Sequence, residues 1–132
     1  MITVNCSQPT NVISMHCAEI KIKSCIVKNN NETIKAIVKL NFKKEELIIK
    51  LSKKIKGKSV IEIDFSGILN DKLLGFYRSQ YKQGKKTKYL ATTQFEAADA
   101  RRAFPCWDEP EYKATFDISI IAENKFTAIS NM

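Results

Sequence analysis

The residues able to do chemistry are few, and most fall in one stretch. Residues 93–110 carry Gln94, Glu96, Asp99, Arg101, Arg102, Cys106, Asp108 and Glu109. Thr93 and Glu96 have the spacing of a capping box, in which hydroxyl and carboxylate each accept a backbone N–H at a helix start. Gln94, two residues before Glu96, reads as a polar strand end or as a second group on the same side. Asp99, Arg101 and Arg102 are types a catalytic cluster would use. On a short helix the same residues form ion pairs that pin it to the neighbouring turn, and that is the reading the spacing favours. Asp108 and Glu109 stand before Pro110 and read as turn residues, Asp being a common turn starter. Outside this stretch there is a single histidine, His16, next to Met15 in a strand pattern, where it reads as a core or edge side chain. The four cysteines, Cys6, Cys17, Cys25 and Cys106, form no C-x-x-C pair and lack the spacing of a metal site. No metal is expected to be bound by this chain.

The elements that must position these residues are mostly strands. Residues 19–27 alternate, with Ile20, Ile22 and Ile26 on one face and Lys21 and Lys23 on the other, the period of a half-buried strand. After the turn signal Asn29-Asn30-Asn31, one face of a second strand is lined by Ile34, Ala36, Val38, Leu40 and Phe42. Leu47, Ile49 and Leu51 mark a third strand, and Ile61, Ile63 and Phe65 a fourth. Between them residues 53–59 read as a charged turn around Gly57. Residues 76–81 and 88–92, joined by Gln83-Gly84-Lys85-Lys86, read as a hairpin. The one helix is predicted over residues 96–104, stopping before Pro105. Strands are predicted again over residues 114–122 and from Phe126 to Ile129. Before Val12 no convincing strand is read, and strands flanking both ends of the segment are expected to be missing. The fold class is therefore mainly β, antiparallel, with one short helix.

Length and composition fit one domain. The chain has 132 residues, 44% hydrophobic and 27% charged, with 4 Gly and 3 Pro, which is globular composition. The formal charge of +8 raises nucleic acid or an anionic membrane as partners. The lysines are scattered along the chain, and the densest group, Lys53, Lys54, Lys56 and Lys58, has no aromatic neighbours for base stacking. Neither partner is expected on this reading. No apolar run approaches the ~18 residues of a membrane span. The first residues lack a basic and an apolar region of the secretory kind. Free thiols in a reducing cytoplasm are the expectation.

One stretch is more specific than any of this. Residues 93–110, TQFEAADARRAFPCWDEP, resemble, nearly residue for residue, a signature of the puromycin-sensitive and aminopeptidase N family of zinc aminopeptidases. The similarity extends to Asp64-Phe65-Ser66-Gly67-Ile68-Leu69-Asn70-Asp71, to Gly75-Phe76-Tyr77-Arg78-Ser79, to Lys113-Ala114-Thr115-Phe116-Asp117-Ile118 and to Ala128-Ile129-Ser130-Asn131-Met132. Residues 12–17 fit an early strand of the same domain. The resemblance implies twisted antiparallel sheets of the saddle-like N-terminal domain, with residues 1–132 an incomplete copy of it. It also implies the family's zinc, held by a His-Glu-x-x-His helix and a distant Glu that do not occur here, so that the catalytic domain is absent and the chain alone is inactive. By the same resemblance, Glu96 reaches into the cleft and pairs with the α-amine of a peptide substrate, and Gln94 lies near the first side-chain pocket. A partly desolvated carboxylate suits that task through a charge-assisted hydrogen bond. The function so implied is part of an aminopeptidase, supplying the amine anchor and a wall of the cleft. The alternative is a stand-alone, non-catalytic β domain that binds a partner. Taken alone, the segment is expected to be weakly stable and prone to associate through open sheet edges.

Overall fold

A computed structural model describes residues 1–130. The elements in chain order are β1 (Ile2–His16), β2 (Ile20–Asn29), β3 (Glu32–Ile34), β4 (Ala36–Asn41), β5 (Glu46–Gly67), β6 (Gly75–Gln83), β7 (Lys86–Gln94) and one 3-10 turn, Ala100–Arg102. All pairings between named strands are antiparallel. The mainly β class is as expected from the alternation.

β5 is the hub. Its 22 residues pair with β1 along most of their length, with β4 over the first part and with β2 over the second. Residues 53–59 are therefore no turn, against the sequence expectation. Gly57 has φ +76° and the strand carries on through it. Glycine pays no Cβ penalty there, so the strand bends without ending. Alternation explains why it continues. Leu47, Ile49, Leu51, Ile55, Ser59 and Ile61 are all buried on one face, while Lys50, Lys54, Lys56 and Lys58 are exposed on the other. The isoleucine inside the lysine run, Ile55, is what a reading for charge alone overlooks.

β1 begins at Ile2, well before Val12, and this corrects a second expectation. Ile2, Val4 and Cys6 lie against the core opposite Ile61, Ser59 and Gly57. The polar residues between them, Thr3, Asn5 and Ser7, face solvent. The ladder is irregular between Cys6 and Thr10, where Pro9 has no N–H to contribute. A bulge between Ile22 and Ser24 changes the phase of β2. Val27 is fully buried and Ile26 is 41% exposed, the reverse of what unbroken alternation from Ile20 predicts. The strand predicted from Ile34 to Phe42 is split at Lys35. Ile34 belongs to β3 against β2, Ala36 to Asn41 form β4 against β5, and Phe42 is 81% exposed.

The hairpin is present as read. β6 and β7 pair from Gly75–Gln94 to Gln83–Lys86 around Gly84, whose φ is +60°. They form a separate two-stranded sheet. Residues 114–122 and 126–129 form no strand, although their alternation predicts one. No ladder partner lies beside them among the described residues, and a strand without one leaves its N–H and C=O groups unpaired. Phe116, Ile118 and Ile120 are each more than half exposed. Asn131 and Met132, at the end of the matching stretch, lie outside the described residues.

Candidate functional site

The predicted helix over residues 96–104 is replaced by a tight turn and a single 3-10 turn at Ala100–Arg102. Thr93 is still in β7, and the residue that caps the 3-10 turn is Asp99, without a side-chain cap bond. The capping box is therefore not formed. Strand pairing takes Thr93, which is opposite Phe76, before it can start a helix. The carboxylate of Glu96 is exposed and makes neither a hydrogen bond nor an ion pair among the described residues.

Gln94 ends β7 opposite Gly75 and is exposed too. Between the two polar residues, Phe95 turns inward. Its ring meets Phe104 edge-on at 5.7 Å, and its carbonyl accepts the Asp99 N–H at 3.0 Å. Anchoring Phe95 leaves Gln94 and Glu96 to the solvent side on either side of it.

What holds this loop in place is a set of ion pairs and backbone bonds to the main sheet. Arg101 donates from Nε to Asp108 Oδ2 at 2.9 Å, from its backbone N–H to the same oxygen at 3.2 Å, and from a terminal nitrogen to Glu45 at 3.4 Å. Arg102 donates to Asp99 at 2.9 Å, to Glu19 at 2.7 Å and to Glu45 at 3.0 Å. Burial works against the charge on both guanidiniums. Their bonds to Asp108, Asp99, Glu45 and Glu19 outweigh it and hold both above the ordinary arginine value. The Ala18 N–H donates to the Arg101 carbonyl at 2.9 Å. His16 and Cys106 exchange backbone bonds at 2.7 and 3.1 Å, and the Asp108 N–H donates to His16 Nδ1 at 3.1 Å. The reading of Asp99, Arg101 and Arg102 as ion-pair pins to the neighbouring turn holds. Trp107 packs on the main core, and Pro105 is buried.

Sequence reasoning missed Glu19 and Glu45, the far ends of these pins. Both have left-handed backbones, φ 58° and 53°, and both sit in turns that run past the arginines. The available signal was their position: each lies just before a strand. Gly75 was also passed over. Its φ is +69°, and a Cβ there would lie 2.7 Å from Arg102 Cβ and 3.2 Å from the Asp99 carbonyl. Gly75→Ala is expected to lower stability by about 2–4 kcal/mol, combining overpacking with left-handed strain. Urea unfolding checks this, and an unchanged midpoint would show that the loop does not press on the hairpin.

The donors on this chain do not suit the zinc that the resemblance implies. Among the described residues no three His, Cys, Asp or Glu side chains converge on a common point. His16 already accepts a backbone N–H at Nδ1. Burial pushes the Cys17 thiol up to about 11. It pushes Cys106 up to about 12, with the Asp108 charge adding to the effect, so both stay protonated at neutral pH. No helix among the described residues is long and apolar enough to cross a membrane.

Comparison with known proteins agrees with the motif. The chain is 43% identical over 135 residues to the puromycin-sensitive aminopeptidase of Caenorhabditis elegans, covering 99% of this chain and 14% of that protein. It is 38% identical over 133 residues to aminopeptidase M1-B of Oryza sativa subsp. japonica, covering 99% of this chain and 15% of that one. Over 74 residues, 54% of the chain, it is 60% identical to the alanine/arginine aminopeptidase of Saccharomyces cerevisiae. The chain thus spans only about one seventh of the length of the full-coverage relatives. The model of the peptidase M1 N-terminal domain matches residues 1–132, and the chain belongs to that family.

Proposed function

We propose that this chain is the substrate-anchoring part of a cytoplasmic, zinc-dependent aminopeptidase, with zinc and the hydrolytic groups carried by a catalytic domain outside these residues. Glu96 is the anchor for the α-ammonium of the peptide, and Gln94 lines the adjoining wall. The observation that carries this reading is the state of the Glu96 carboxylate. It is exposed and unpaired among the described residues, yet it stands on a loop fixed by Arg101 and Arg102 on one side and Phe95 on the other. A free carboxylate on a rigid support is what recognition of a terminal ammonium needs, because little ordering is left to be done on binding.

The test uses the complete enzyme containing this segment. Glu96→Ala is expected to lower kcat/KM for peptides with a free N-terminus about 10- to 100-fold, the worth of one charged hydrogen bond, with zinc content unchanged. Undiminished turnover would remove Glu96 from the site.

A further inference from the structure

Lysines that lie scattered in the sequence are gathered on one surface by the fold. On the solvent side of the main sheet, β5 presents Lys50, Lys54, Lys56 and Lys58. β4 adds Lys39, opposite Ile48, and Lys35 stands across from Ser52, whose N–H it accepts. All are exposed, and among the described residues none lies within ion-pair distance of a carboxylate. The other half of the same face is neutralised, Lys28 by Glu62 at 2.8 Å and Lys23 by Asp64 at 3.8 Å. One half of one face thus holds an excess of positive charge, with Glu46 at its end as the carboxylate on that half of β5 and with Lys54, Lys56 and Lys58 successively about 7 Å apart along the strand.

An apolar side chain stands out from the same face. Ile37, directly opposite Lys50, is 66% exposed. We infer that this half of the sheet is a docking surface for an anionic lipid bilayer, with the lysines over the headgroups and Ile37 entering the interface. Charge complementarity chooses the occupant. The patch is a broad sheet face without arginine forks, so it reads charge density and not a particular phosphate. It lacks the row of aromatic rings on which a single-stranded nucleic acid would stack. The occupant lies on the sheet face, leaving the edges where a peptide strand would add untouched. Juxtaposed lysines over an anionic leaflet contribute about 1 kcal/mol each, which makes a weak, reversible, salt-sensitive attachment.

The test is sedimentation of the intact protein with vesicles of phosphatidylcholine alone and of phosphatidylcholine mixed with phosphatidylserine. Binding is expected only to the mixed vesicles and is expected to be released by added salt. The triple change Lys54→Gln, Lys56→Gln, Lys58→Gln is expected to lower the partition coefficient roughly 100-fold, with the circular dichroism spectrum unchanged. The triple change Lys82→Gln, Lys85→Gln, Lys86→Gln at the hairpin tip removes the same charge and is expected to leave most of the binding intact. Equal losses from both triples would mean that net charge, and not this face, attracts the bilayer, and would overturn the assignment. So would equal binding to neutral vesicles, or tighter binding to single-stranded RNA than to the mixed vesicles.

Discussion

Ile61→Ala is expected to cost the fold about 2–5 kcal/mol, the range for truncating a buried aliphatic side chain. The place of Ile61 in the sheet explains why the effect is large. It is fully buried on the inner face of β5, opposite Ile2 of β1 on one side and Val27 of β2 on the other. Neighbouring strands close over it from both sides, so the site cannot collapse around a smaller residue without shifting a ladder. Domains hold about 5–15 kcal/mol in all, so this change alone brings the chain near its threshold. Equilibrium urea unfolding gives the comparison, with Ile37→Ala as control. Ile37 is 66% exposed on the outer face, and its truncation is expected to stay within about 0.5 kcal/mol. If the two substitutions behaved alike, the division of the sheet into inner and outer faces would be wrong.

The second large effect is expected at Arg101. Its side chain is 12% exposed and that of its partner Asp108 is 11%. Removing the guanidinium leaves the Asp108 carboxylate without its counter-charge in a half-dry setting and frees the Glu45 link as well. Arg101→Ala is expected to cost about 2–3 kcal/mol, below the figure for breaking a fully buried pair because solvent reaches these groups. The loss is also local. The turn that holds Cys106 is tied to β1 through His16 and to Arg101 through Asp108. Detaching it should make the Cys106 thiol react with an alkylating reagent faster than in the parent chain. Arg101→Lys keeps the charge but loses the fork and is expected to fall in between. A parent-like thiol rate in Arg101→Ala would show that the backbone bonds alone suffice.

Period-2 patterning made the strands at Leu47, Ile49, Leu51 and at Ile61, Ile63, Phe65 legible, because each has a wet face and a dry one. It also suggested that they were separate, since lysines and a glycine lay between them. What joins them is Ile55, a single buried residue whose meaning depends on β1 pairing alongside it, with Thr10 as its partner. Ile26 was assigned to the wrong face because the bulge before Ser24 is set by pairing with β5 and leaves no local mark. The helix at residues 96–104 failed for a similar reason. Thr93 has the composition of a cap but is held in β7 by Phe76, and local propensity yields to that pairing. Glu96 and Gln94 were legible as substrate contacts only through the resemblance; the capping role weighed for Glu96 is not formed, while the exposure of Gln94 fits either role weighed for it. The arginine pins were legible in type, while their partners Glu19 and Glu45 lie 83 and 56 residues away in sequence and could be identified only in the fold.

Because β5 is the partner of β1, β2 and β4 alike, the order in which the chain leaves the ribosome matters. β1 is made first, yet its mate opposite Ile2 is Ile61. At ~5–20 residues per second of synthesis, the first strand waits several seconds with Ile13 and Met15 uncovered. β4 meets its own stretch of β5 much sooner, across the short turn after Asn41. The most local pairings, β2 with β3 across Asn30-Asn31 and then β4 with β5, are therefore expected first, and the longest contacts in the sheet close last, with the largest loop-closure cost. A nascent chain of this kind offers an early window to chaperones that hold extended apolar segments, one that shuts when residue 61 emerges.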